Sequence, residues 1–176
     1  MCPTGYSEVM YINRLEEEIS YLKKEIKKYK KLSLIDTLTG LWNERKLKED
    51  LKRYSELQER TKVKFTVALI DINNFKKYND TYGHSHGNKI LKKTSKIMKN
   101  SIRKYENVYR LGSGADEFVI IFSHSRKINK VIKRIKQELL EYNIYVSIGY
   151  NKLRKNVLKI IDKKMYKEKF DKVKKI

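Results

Sequence analysis

The sequence predicts an α/β protein with a mixed sheet under helical cover, preceded by a coiled-coil helix. Three observations carry this. Apolar residues near the start recur with heptad spacing. Further on, short β-rich apolar runs alternate with stretches of helical period. Two of those runs flank a glycine-containing acidic segment, which places one hairpin inside the alternating series.

The elements follow in order. Ile12, Leu15, Ile19, Leu22, Ile26 and Tyr29 are spaced 3, 4, 3, 4 and 3 apart, the seam of a coiled coil, with Glu16, Glu17, Lys23 and Lys24 on its flanks. Residues 1–32 are assigned to this helix and 33–176 to a second domain. Asp36 to Leu41 (DTLTGL) reads as a turn leading to a helix cap. A helix follows over about 43–60, with Leu47, Leu51, Tyr54 and Leu57 as its apolar stripe. Phe65 to Ile70 is a β-rich run of buried-strand length that ends in Asp71. Ile90, Leu91, Thr94, Ile97, Met98 and Ile102 keep helical spacing. Asn107–Leu111 and Phe118–Phe122 read as the strands of a hairpin with Asp116 and Glu117 at its tip. Ile128 to Leu139 is an amphipathic helix, Ile144–Ile148 a strand and Val157–Lys169 a closing helix.

Composition narrows the function classes. The 176 residues include a single cysteine, Cys2, which excludes a disulfide framework and a cysteine-based zinc site. No run approaches the roughly 18 apolar residues of a membrane span, and the start has no apolar core of a secretory signal. A soluble cytoplasmic protein without a membrane partner is expected. The formal charge of +21, from 42 Lys+Arg against 21 Asp+Glu, attracts polyanions such as nucleotides or nucleic acid.

Asp71, Asp116 and Glu117 stand at strand ends of one sheet. Carboxylates so placed can converge on Mg2+, which takes oxygen ligands and keeps part of its shell for substrate phosphates. On spacing alone, acids at loop tips are usually just solvated.

Five stretches decide the matter. Asp36 to Asn43 (DTLTGLWN) resembles the D-x-L-T-G-L-x-N entry motif of GGDEF domains. Asp71 to Asn88 (DINNFKKYNDTYGHSHGN) is similar to their D-I-D-x-F-K-x-x-N-D-x-x-G-H-x-x-G-D block. Arg110-Leu111-Gly112 and Gly114 to Phe118 resemble the R-Y-G-G-D-E-F signature. Val146 to Gly149 resembles the S-I-G strand, and Ile161 to Lys169 the A-D-x-A-L-Y-x-A-K helix. The resemblance runs from Asp36 to Lys169 in the family's order.

It implies a palm-like nucleotidyl cyclase domain that makes cyclic di-GMP from two GTP, with two Mg2+ (or Mn2+) per active site. By that resemblance Asp71, Asp116 and Glu117, with the backbone of Ile72, would hold the metals. The acidic pair would also help deprotonate the attacking 3′-hydroxyl. The amides of Asn74 and Phe75, with Lys76 and Lys169, would hold phosphates, and Gly112 and Gly114 would line the nucleotide. Asn79 and Asn88 would meet the guanine. Catalysis requires a homodimer, for which the coiled coil is the expected means.

Four departures from the pattern bear on activity. The signature carries two extra residues between Arg110 and the acidic pair, and hairpin loop length selects turn type. Asn88 replaces a guanine-reading Asp, and an amide offers one acceptor and one donor group. Lys172-Val173 replaces a terminal G-R, and a Lys is not an Arg fork. The family's inhibitory R-x-x-D is here Arg103 to Glu106, with Glu for Asp. These support a second reading, a degenerate domain that binds GTP or a cyclic dinucleotide as a receptor. The charge alone supports a third, a basic nucleic-acid-binding protein. With no sensory segment ahead of the helix, the input is expected from expression, oligomerisation or a protein partner.

Overall fold

The computed structural model describes residues 4–112, 116–123 and 128–173; the side chains of 4–7, 27, 30–32 and 166–173 lie outside that description. The chain divides into two compact units, Met1–Ile35 and Asp36–Ile176.

The first unit is helix α1, Thr4–Leu32. Its seam residues are all open on the single chain, from 39% exposure at Leu15 to 64% at Tyr29. An apolar stripe of heptad spacing left uncovered is the surface that a coiled coil pairs.

The second unit opens with the Asp36–Leu41 turn. The Asp36 carboxylate accepts from the backbone N–H and the hydroxyl of Thr39, at 2.9 and 2.5 Å. Gly40 takes φ +69°, open to glycine without strain. Helix α2, Glu44–Thr61, starts at Asn43, whose side chain accepts from Lys46 N at 3.1 Å. The remaining elements are β1 (Phe65–Ile72), α3 (Phe75–Tyr82), α4 (His84–Ser101), β2 (Asn107–Arg110), β3 (Glu117–Ser123), α5 (Ile128–Leu140), β4 (Val146–Lys152) and α6 (Val157–Val173). The strands form one sheet in the order β2-β3-β1-β4.

Among the described residues every ladder of the sheet is antiparallel, and an isolated parallel bridge outside the named strands joins Trp42 and Tyr109. β1 occupies the centre and is buried along its whole length, because both its faces are covered. Ala68, Ile70 and Ile72 join Phe118, Ile120, Leu91, Ile135 and Leu139 in one core. Phe65, Val67 and Leu69 join Leu47, Val119, Ile121, Ile161 and Met165 in the other. Alternation along each strand assigns α4 and α5 to the first face and α2 and α6 to the second. At Gly149 of β4 the helix α6 comes so close that a Cβ would lie 2.5 Å from the Ile161 carbonyl oxygen.

Three features differ from the sequence expectation. Asp71 does not end its strand; it pairs on both sides, with Glu117 and with Ser147. Glu117 is not at the hairpin tip but opens β3. And Phe75–Tyr82 forms helix α3, a segment the sequence expectation leaves unassigned, with Phe75 buried and Tyr78 half-buried.

Candidate functional site

At one end of the sheet Asp71 sits directly opposite Glu117 across the β1–β3 ladder. Opposed residues of an antiparallel pair project from the same face, so the two carboxylates are neighbours. The face is that of Leu69 and Val119, the α2–α6 side. Asp71 is buried and Glu117 half-buried. The backbone N–H of Ile72 donates to the carbonyl of Asp116 at 3.3 Å, and that of Leu111 to Glu117 at 3.0 Å, which closes the hairpin behind the acids. Asp116 thus stands one residue ahead of β3, at the same end.

The donor set is all oxygen: carboxylates and main-chain carbonyls. Such a set fits a hard divalent cation, Mg2+ or Mn2+. Among the described residues no group of three or more His, Cys, Asp or Glu gathers as a metal cluster. A cation here therefore relies on main-chain and ligand oxygens beside the carboxylates.

Directly after β1 the chain turns into α3. Asn73 N–H donates to the Tyr145 carbonyl at 2.8 Å, and its side-chain oxygen accepts from the Ser147 hydroxyl at 2.8 Å. Asn74 takes the left-handed conformation, φ +58°, as the residue that caps the helix without a side-chain bond. Asn tolerates that region better than most residues. The first amides of α3, at Phe75 and Lys76, open at the end of β1 that carries the acids. Helix N-termini favour anions.

Between α3 and α4 lies a second feature. Gly87 approaches Asn79 so closely that a Cβ there would be 1.8 Å from Asn79 Oδ1 and 3.2 Å from Phe75 Cζ. That Oδ1 is buried without a hydrogen-bond partner. A buried orphan acceptor costs about 1–3 kcal/mol, which a donor from a ligand would offset. Asn88, the next residue after Gly87, is exposed. A Gly87→Ala substitution should therefore displace the Asn79 amide. Alanine gains about 1 kcal/mol over glycine inside a helix, so stability should barely move. If Asn79 meets the guanine, as the sequence resemblance implies, GTP affinity measured by calorimetry should fall about tenfold, the worth of one good hydrogen bond. Unchanged affinity would exclude Asn79 from such a site.

Arg110 holds the hairpin from beneath. Its guanidinium is buried and donates to Asp36, at 3.1 and 3.3 Å, while its backbone N–H donates to the Trp42 carbonyl at 2.8 Å. Burial pushes the Asp36 carboxyl up, but Thr39 and Arg110 outweigh it and hold the group below its ordinary value. A second anchor is Glu44, the first residue of α2. Lys48, 2.6 Å away, holds its carboxyl low, helped by the backbone N–H of Gly112. Gly112 itself has φ +58°. Neither anchor was read from the sequence. Each joins residues some seventy positions apart, and no periodicity marks such a pair.

A third tie joins α2 to β2. Asp50, 1% exposed, accepts from the Tyr109 hydroxyl at 2.8 Å and pairs with Lys46 at 2.7 Å. Burial, then Asp50, pushes the Tyr109 hydroxyl far above its ordinary pKa, so it remains a donor.

Of the other expected site residues, Gly114 lies outside the described residues. Lys169 falls on α6, one turn past Met165, with its side chain outside the description. Arg103 to Glu106 form a turn before β2, at the end of that strand away from Glu117. Glu106 accepts from the Arg103 backbone N–H at 3.0 Å, and the Arg103 guanidinium meets the Tyr105 hydroxyl at 2.7 Å. No described helix is long and apolar enough to cross a membrane.

With this geometry in place, comparison with known proteins is direct. The family model "Diguanylate cyclase, GGDEF domain" matches residues 33–174. Diguanylate cyclase DgcS of Shewanella oneidensis is 38% identical over 89 residues, 51% of this chain and 29% of that protein. The chain thus spans less than a third of that relative's length. Among solved structures, the coiled coil and GGDEF domain of DgcB from Caulobacter crescentus, in complex with c-di-GMP, superposes with a TM-score of 0.82 at 21% identity, covering 94% of this chain and 95% of that one. Diguanylate cyclase SiaD from Pseudomonas aeruginosa, in complex with its activator SiaC, superposes with a TM-score of 0.76 at 22% identity, covering 96% and 70%.

Proposed function

The chain belongs to the GGDEF family, and from that premise we propose that it is a diguanylate cyclase, condensing two GTP into cyclic di-GMP with release of two pyrophosphates. The observation that carries this reading is the Asp71–Glu117 pair, opposed across one ladder at the end of β1 from which α3 begins.

Two Mg2+ ions, held by Asp71, Asp116, Glu117 and the carbonyl of Ile72, would supply charge neutralisation for the triphosphate and ease loss of the 3′-hydroxyl proton. Glu117 with Asp116 accepts that proton as the 3′-oxygen bonds to the α-phosphorus of the opposing GTP and the bond to pyrophosphate breaks. The amides of Asn74 and Phe75, the first turn of α3 and the ammonium groups of Lys76 and Lys169 hold the phosphates. Gly112 lines the nucleotide, a role the resemblance gives to Gly114 as well. Positioning and charge balance supply most of the rate in such transfers. The orphan acceptor of Asn79 takes a guanine N–H, and Asn88 reads the same edge with one acceptor where a carboxylate would offer two.

Each protomer holds one GTP, so two must face each other. The uncovered seam of α1 pairs with its copy to bring them together. Arg103 serves a surface product site in which Glu106 is engaged by its own turn. A protein partner supplies the activating signal, as SiaC does for SiaD.

The test is pyrophosphate release from GTP over a range of protein concentrations with Mg2+. A rate rising as the square of protein concentration at high dilution is expected from a dimeric active site. A rate strictly proportional to concentration down to nanomolar protein, in a verified monomer, contradicts it.

A further inference from the structure

Lysine is abundant along the whole chain, and a uniform bias would make every helix equally basic. It does not. Helix α2 carries six Lys and Arg against five acids. Helix α6, on the other sheet face, carries six lysines against three acids, whereas α4 carries five lysines and no acid, and α5 four Lys and Arg against Glu138 alone. Helices α4 and α5 lie side by side on one sheet face. The Ser101 hydroxyl donates to Glu138 at 3.4 Å, and Arg134 donates to the Ser101 carbonyl.

Their inner residues are buried, so the charge is confined to the outer surface. Lys89, Lys92, Lys96 and Lys99 form one exposed stripe along α4, about 15 Å long at 1.5 Å per residue. Lys130, Lys133 and Arg134 extend it on α5. At the margin stand exposed tyrosines. Lys93 Nζ lies 3.8 Å from the Tyr142 ring centroid. Tyr150 joins Asn129, Lys133, Lys136, Gln137 and Leu140 around an open groove of about 370 Å³. Its hydroxyl bonds Asn129 at 2.6 Å, which fixes the ring.

We propose that the outer surface of the α4–α5 layer binds single-stranded nucleic acid. Phosphates lie along the lysine stripe and an unpaired base stacks on Tyr150 in the groove; stacking is open only to unpaired bases. On this surface Leu140 is an exposed aliphatic residue and α4 adds none, too little apolar area to enter a lipid boundary, so an anionic membrane is the weaker match. Asp71 and Glu117 lie on the opposite sheet face, and the α4 lysines substituted below begin one turn past Asn88, so the Glu117→Gln and α4 variants test the two functions separately.

The experiment is fluorescence anisotropy of the whole chain with a labelled single-stranded oligonucleotide across a salt series. The variants are Lys92→Gln/Lys96→Gln/Lys99→Gln, a control of equal charge on α2 (Arg45→Gln/Lys52→Gln/Arg60→Gln), and Tyr150→Ala. The α4 triple should weaken binding about tenfold and flatten the salt slope by about 2, at roughly 0.7 per phosphate contact. Tyr150→Ala should weaken binding about tenfold and leave the slope unchanged. Glu117→Gln should bind as the parent does. Equal loss in the α2 control would overturn the proposal, because attraction would then follow net charge alone. So would binding to phosphatidylserine vesicles with none to the oligonucleotide.

Discussion

Replacing Glu117 with Gln should raise the melting temperature in metal-free buffer while abolishing GTP turnover. Asp71 and Glu117 are directly opposed in the ladder, and like charges so placed destabilise by about 0.2–1 kcal/mol. Removing one charge relieves this. The backbone register remains, since Ile72 and Leu111 hold the hairpin through main-chain bonds. Catalysis loses both a proton acceptor and a metal ligand, for which a fall of about a thousandfold or more is expected. Mg2+ should raise the melting temperature of the parent and leave that of the variant unmoved. Calorimetric scans with and without Mg2+, beside a pyrophosphate assay, separate these effects. A variant that melts lower without metal and still turns over GTP would show that the pair does not form the site.

Asp36→Ala should cost about 3 kcal/mol, because it strands the buried Arg110 guanidinium. For a domain of this size that is a drop of roughly 6–12 °C in melting temperature. The effect depends on pH with a definite sign. The folded Asp36 carboxyl is held below its ordinary value of 3.8. Its stabilisation is therefore fully present above that value and is lost as pH falls through the lower, folded one. The difference between parent and variant should be largest near neutrality and narrow in acid below about pH 4. A constant difference from pH 7 to pH 2 would mean that the Asp36 charge is not what the variant removes.

The sequence was legible where chemistry is local. The DTLTGL turn closes on itself through Asp36 and Thr39, three residues apart, and can be read from the string. The apolar run of β1, the hairpin and the amphipathic α5 announce themselves by period. The family block names Asp71 and Asn79 and the signature names Glu117, and Gly87 within the block proved to be the space that Asn79 fills. What could not be read are single contacts over long separations. Arg110 with Asp36 and Tyr109 with Asp50 leave no pattern along the chain. Helix α3 escaped because it is short: Phe75, Tyr78 and Tyr82 keep helical spacing, but two turns give that period only two intervals. The strand position of Glu117 depends on pairing with β1, which local alternation does not specify.

The most direct test of the central claim is to incubate the purified chain with Mg2+ and labelled GTP, ATP or both, and to resolve the products by mass. Cyclic di-GMP from GTP alone, absent with Glu117→Gln, is the predicted result. A product that contains adenine would move the account to a different base at Asn88. Nucleotide-dependent thermal stabilisation with no cyclic product, in a verified dimer, would contradict it and make the domain a receptor.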